Sequence, residues 1–194
     1  KKALPKAEFD ELRENQRAWV EQRDHLARSP LFTGANVQGD LALDSPEYLE
    51  AATVLTQART DWLQCRVRFK DDETLTGIWD DSNGGGIEVV ELEGQLFFNL
   101  SVVRGPTSHG GDLSGVAQWN QTIGWFSDKG LEPDKKDVTN LAFILRGKML
   151  EIIGANNSHY NGMRAYFDGR YAKVGTLDAK AQAKIIKEIK APKP

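Results

Sequence analysis

A single cysteine, Cys65, stands among 194 residues. It can close no internal disulfide and cannot by itself hold a metal, so a disulfide-stapled scaffold, a zinc finger and a CxxC redox centre are excluded. Basic charge is scarce too. Lys and Arg number 25 against 28 Asp and Glu, a net charge of −3, whereas a dedicated nucleic-acid binder presents a basic surface to the phosphates. No apolar run approaches the roughly 20 residues that a membrane-spanning helix needs. Histidine occurs three times, without HxH or HExxH spacing, so His109, His159, Asp112 and Asp168 form no metal-ligand motif. There is no GxSxG elbow, and Ser108 and His109 are merely adjacent, so nucleophilic catalysis has no constellation either. The expected function is non-enzymatic, with neither cofactor nor metal.

What is present suits a globular chain with a real core: 40% of residues are hydrophobic and 27% charged. Charge is unevenly spread. Residues 1–70 are neutral overall, residues 71–169 carry −8 and residues 170–194 carry +5. The middle is acidic and the tail basic.

From Glu8 to Arg28 no Pro or Gly interrupts a run rich in Glu, Arg, Gln, Leu and Ala, and Phe9, Leu12, Trp19 and Leu26 recur at helical offsets. Ser29-Pro30 ends this amphipathic helix, and Thr33 to Asp40 read as a loop. A second helix starts at Asp44 or Ser45 as N-cap with Pro46 in its first turn. Its inner face is expected to be Tyr48, Ala52, Leu55, Arg59 and Trp62. The pair forms an antiparallel hairpin over residues 1–65. After Arg66 the period becomes alternating, beginning with Val67 and Phe69, and turn signals such as Ser82 to Gly86, Glu93-Gly94 and Arg146-Gly147 divide short apolar runs. The fold class is therefore α+β. An antiparallel barrel-like meander of eight or nine strands is expected over residues 66–176, followed by a basic helix and tail over 177–194 with Ala181, Ile185, Ile186 and Ile189 on one side. The aromatics Trp79, Phe97, Trp119, Trp125 and Phe143 are candidates to fill the barrel.

Leu12-x3-Gln16-Arg17-x-Trp19-x3-Arg23-Asp24 resembles the signature helix of the LprI-type lysozyme-inhibitor family of exported bacterial proteins. The likeness covers about the first 65 residues. Family members usually carry cysteines after Arg-Asp and in the second helix; here Leu26-Ala27 and the lone Cys65 stand there, so disulfide stapling does not carry over. The remainder resembles a small barrel-like domain of bacterial envelope proteins. Its matching residues are Gly77-Ile78-Trp79, the run Val102 to Gly111, Gly115-x-Ala117 and Phe167-Asp168-Gly169-x-Tyr171. The resemblance implies export to the periplasm or cell surface and binding to a lysozyme or another cell-wall hydrolase. The opening Lys1-Lys2-Ala3 is compatible with a processed exported chain.

Two polar connections are the candidate partner-binding sites. One is Arg104 to Ser114, from which Arg104, Thr107, Ser108, His109 and Asp112 are expected to project; the competing reading is a structural turn built on Gly105, Pro106, Gly110 and Gly111. The other runs from His159 through Tyr160 to Arg164, with Asn161-Gly162 turn chemistry as its alternative. Asp71-Asp72 and Asp80-Asp81 read as solvated charges. The acidic middle would steer the chain towards basic lysozymes. Alternative functions are a small-ligand carrier with its ligand in the barrel mouth, and an immunity or structural partner of one effector.

Overall fold

The computed structural model describes residues 5–68, 74–104, 109–128, 138–157, 160–162 and 165–191. Two long helices, α1 (Lys6–Arg28) and α3 (Pro46–Arg68), flank a single turn of helix, α2 (Pro30–Thr33). Eight strands follow: β1 (Gly77–Asp80), β2 (Gly85–Leu92), β3 (Gln95–Arg104), β4 (His109–Trp119), β5 (Ile123–Ser127), β6 (Asn140–Arg146), β7 (Met149–Ala155) and β8 (Gly169–Gly175). A further helix, α4 (Ala179–Lys190), follows the barrel. Among the described residues no helix is long and apolar enough to cross a membrane.

The strands form a closed antiparallel barrel in chain order, with β1 also paired to β8. Closure gives every strand a neighbour on both sides, so no strand is a terminal edge of the sheet. One face of each strand fills the interior. Along β3 the even-numbered residues Leu96, Phe98, Leu100 and Val102 point inward, meeting Trp79, Ile87, Leu141, Phe143, Leu150 and Tyr171 from other strands. Phe98 and Phe126 meet edge to face, centroids 5.1 Å apart. The Phe126 ring lies directly over Gly115, where a Cβ would sit 2.3 Å from the ring. That contact explains why β4 carries glycine at this position.

Helices cover two sectors of the outer wall. Ile185 of α4 packs on Val90 and Phe97, so the apolar stretches of β2 and β3 are buried on both faces and lose strict alternation. Asp178 caps α4, its carboxylate accepting from Ala181 N at 2.7 Å. On the other side Trp62 and Leu12 pack with Met149 and Ala172, and Trp62 Nε1 donates to the Asp80 carbonyl at 2.7 Å. Ser45 Oγ accepts from Tyr48 N at 3.3 Å and starts α3 as its capping chemistry predicts.

Three local expectations change. Residue 67 is still helical, because α3 continues to Arg68; Phe69 lies outside the described residues. Most of the supposed loop 104–114 is strand, since His109 to Ser114 pair residue by residue with Asn99 to Arg104. Phe97 and Trp125 face outward, the first covered by α4 and the second 46% exposed. Phe98 and Phe126 take the interior places, because the β-strand period of two admits only one parity of β3 and β5.

Candidate functional site

The residues of the first-helix pattern turn inward on the hairpin. Arg59 of α3 is 2% exposed. Its guanidinium lies over the Trp62 ring at 4.3 Å and the Trp19 ring at 5.4 Å, and it donates to Gln16 Oε1 at 2.9 Å and Asn15 Oδ1 at 2.6 Å. Asp24 receives Arg23 through two donors and also the Tyr48 hydroxyl at 3.2 Å. Gln16, Trp19 and Asp24 are thus the fastening of α1 to α3, while Arg17 is exposed.

One end of the barrel is closed from within by charge. Continuing the inward parity of β3, Arg104 ends in an ion pair with Asp81, Nη1 to Oδ2 2.6 Å, the two side chains 3% and 4% exposed. Arg104 also donates to the Asn83 carbonyl at 2.7 Å and the Tyr166 carbonyl at 3.2 Å. Asp81 Oδ1 accepts from Asn83 N and Gly85 N, both at 2.8 Å. Below them the Tyr171 hydroxyl donates to the Phe167 carbonyl at 2.9 Å. Burial works against the Arg104 cation, but the adjacent Asp81 carboxylate outweighs it and holds the guanidinium more firmly protonated than usual. Burial, aided by Asp81, pushes the Tyr171 hydroxyl above its ordinary range. The expectation of a solvated Asp81 is overturned, because backbone donors and Arg104 supply what water would. Arg104 likewise does not project from the surface. With the interior filled by aromatic and aliphatic side chains and this end plugged, the barrel lumen is packed rather than hollow.

The two polar connections singled out from sequence meet on this same rim. Gly111 and Asn161 form a β-bridge, Gly162 N donates to the Gly110 carbonyl at 2.8 Å, and Asp112 N donates to the Tyr160 carbonyl at 3.1 Å. Here Asp112 is exposed and His109 half-buried. Tyr160 is partly buried against the core, and its hydroxyl donates to Asp128 Oδ2 at 3.1 Å. Burial first, and Asp128 second, raise the Tyr160 hydroxyl above its usual value. Thr107, Ser108, His159 and Arg164 lie outside the described residues.

Beside the plug, a hollow of about 270 Å3 opens between α1 and the β8 side of the barrel. Asp81, Arg104 and Asn83 lie along it, as do Tyr166 and Asp168 from the segment before β8 and Asn15 from α1. Glu11 of α1 and Arg170 of β8 form an ion pair that joins helix to barrel. Sequence reasoning did not find this hollow, because its lining comes from segments far apart in the chain. The one available signal was parity: Leu96, Phe98, Leu100 and Val102 place Arg104 inside the barrel, where it needs a buried acid. Among the described residues no group of three or more His, Cys, Asp and Glu could hold a metal ion.

No protein-family model, no characterised protein and no solved structure matches this chain.

Proposed function

We propose that this chain is an exported bacterial binding protein that acts without catalysis, inhibiting a lysozyme or related peptidoglycan hydrolase by occluding its cleft. The observation that carries the reading is the joining of residues 110–112 to residues 160–162. It makes one continuous rim from two distant segments, backed by a packed barrel. A rigid scaffold lowers the ordering cost of inserting such a rim into a concave site. The resemblance of the Gln16 to Asp24 pattern to LprI-type inhibitors, and the −8 charge of residues 71–169, support the same partner. Acidic charge accelerates encounter with a basic protein and does so less at high salt. The expected location is the periplasm or cell surface.

The test is binding of the purified chain to c-, g- and i-type lysozymes and a lytic transglycosylase at two salt concentrations, paired with a turbidity assay of lysis. Salt-sensitive association with loss of lysis, weakened by Asp112→Lys, supports the proposal. No binding at micromolar protein would sink it, and capture of one unrelated effector would point to an immunity-type partner instead.

A further inference from the structure

We propose that the hollow between α1 and the barrel end binds a neutral, hydroxyl-bearing ring, the size of one sugar residue. At about 270 Å3 it falls just below the range that takes drug-sized ligands, which limits it to a single ring. Its lining shares no residue with the segments 110–112 and 160–162, so the inference does not depend on the inhibitor reading.

Charge decides against an anion. Asp81 and Arg104 neutralise each other along the hollow, Glu11 and Arg170 do the same between helix and barrel, and the lining adds one more carboxylate, Asp168. An incoming anion would meet that excess negative charge, and any ion that displaced a partner of the buried pair would leave an uncompensated charge.

The polar capacity that remains is mixed. Asn15 Oδ1 is taken by Arg59, which leaves its amide N–H groups as donors. Asn83 Nδ2 is given to the Asp81 carbonyl, which leaves its Oδ1 as an acceptor. Asp168 Oδ1 accepts from Gly154 N at 3.0 Å, and its second oxygen can accept another bond. Tyr166 adds a hydroxyl that does both. Donors and acceptors present together match groups that donate and accept through one atom, which is the property of a hydroxyl.

The apolar part has a matching shape. Tyr166 is 51% exposed, and one face of its ring is held against the Arg104 guanidinium at 4.7 Å, so the ring is braced while its remaining surface is open. Leu12 and Met149 add apolar surface to the same hollow. A ring with C–H faces and a hydroxylated edge satisfies both kinds of surface, and its hydroxyls replace the water that a polar hollow otherwise holds.

The experiment is an NMR titration of the 15N-labelled full chain with glucose, galactose and N-acetylglucosamine, with inorganic phosphate and methylamine as charged comparators. The expected result is saturable shifts of the Asn15 and Asn83 side-chain amides and the Trp62 indole N–H, with a millimolar Kd as befits a ligand of few atoms. Tyr166→Ala and Asn83→Ala, each checked by circular dichroism for retained fold, should weaken binding about tenfold or more. Trp125→Ala, on the opposite wall, should leave it unchanged. Should either cleft variant fail to fold, Tyr166→Phe and Asn15→Ala serve in its place. The proposal is overturned if no neutral sugar gives saturable shifts, if a charged comparator binds more tightly, or if binding survives the cleft variants.

Discussion

Arg104 Nη1 stands 2.6 Å from Asp81 Oδ2, and this buried pair closes the barrel where its aromatic filling ends. Each partner is held by further hydrogen bonds to backbone, the condition under which a desolvated ion pair is tolerated. Removing one partner strands the other. Asp81→Ala and Arg104→Ala should each lower stability by about 3–5 kcal/mol. Urea denaturation of both singles and the double variant checks this: the double should lose clearly less than the two losses combined.

Asp80, next in the chain, gives the fold a pH dependence. Burial raises its carboxyl to about 6, with Asp81 adding to the effect and the Ser82 N–H and Arg104 opposing it. The folded chain therefore holds a proton there at pH values where the unfolded chain has lost it. Stability from this group is highest near pH 4 and falls as pH rises through 6. Asp80→Asn should stabilise the protein at pH 7 by about 2 kcal/mol and have almost no effect at pH 4. Denaturation midpoints at both pH values decide it; equal gains at both would refute the assignment.

Arg59 is expected to be the keystone of the helical hairpin. Arg59→Ala should cost about 3 kcal/mol through lost charged hydrogen bonds and stacking on Trp19 and Trp62. Lysine should recover less than half, since it has neither the planar fork nor the same stacking surface. Hydrogen exchange should quicken in α1 and α3 while the central barrel strands keep their protection.

Gly115→Ala tests the packing of the core. With a Cβ 2.3 Å from the Phe126 ring, the substitution should destabilise by about 1–3 kcal/mol. Trimming the ring with Phe126→Leu in the same chain should make the added methyl much cheaper than it is alone, which a thermodynamic cycle of melting or urea data reports directly.

Much of this architecture was legible in advance because helix and strand periods are local. The Pro46 start and the face Tyr48, Arg59 and Trp62 follow from side-chain chemistry within a few turns. The continuation of α3 to Arg68 departs from the alternating reading because an alternating apolar pair can sit on a helix as well as on a strand. The segment 109–114 reads as loop because it is polar and glycine-rich, yet six consecutive residue pairs with β3, continued by four more to Gln118, hold it in a strand. Non-local pairing outweighs weak local propensity.

By itself the sequence determined the class of fold, the order of its elements and the exclusion of disulfide, zinc-finger and membrane-helix solutions, since these depend on composition and short-range periodicity. Only the tertiary structure decided which acid meets Arg104 and which segments share a surface. Asp81 meets Arg104 across 23 positions, and Gly111 meets Asn161 across 50. Such meetings arise from barrel closure and strand register, and no local pattern of residues encodes either one.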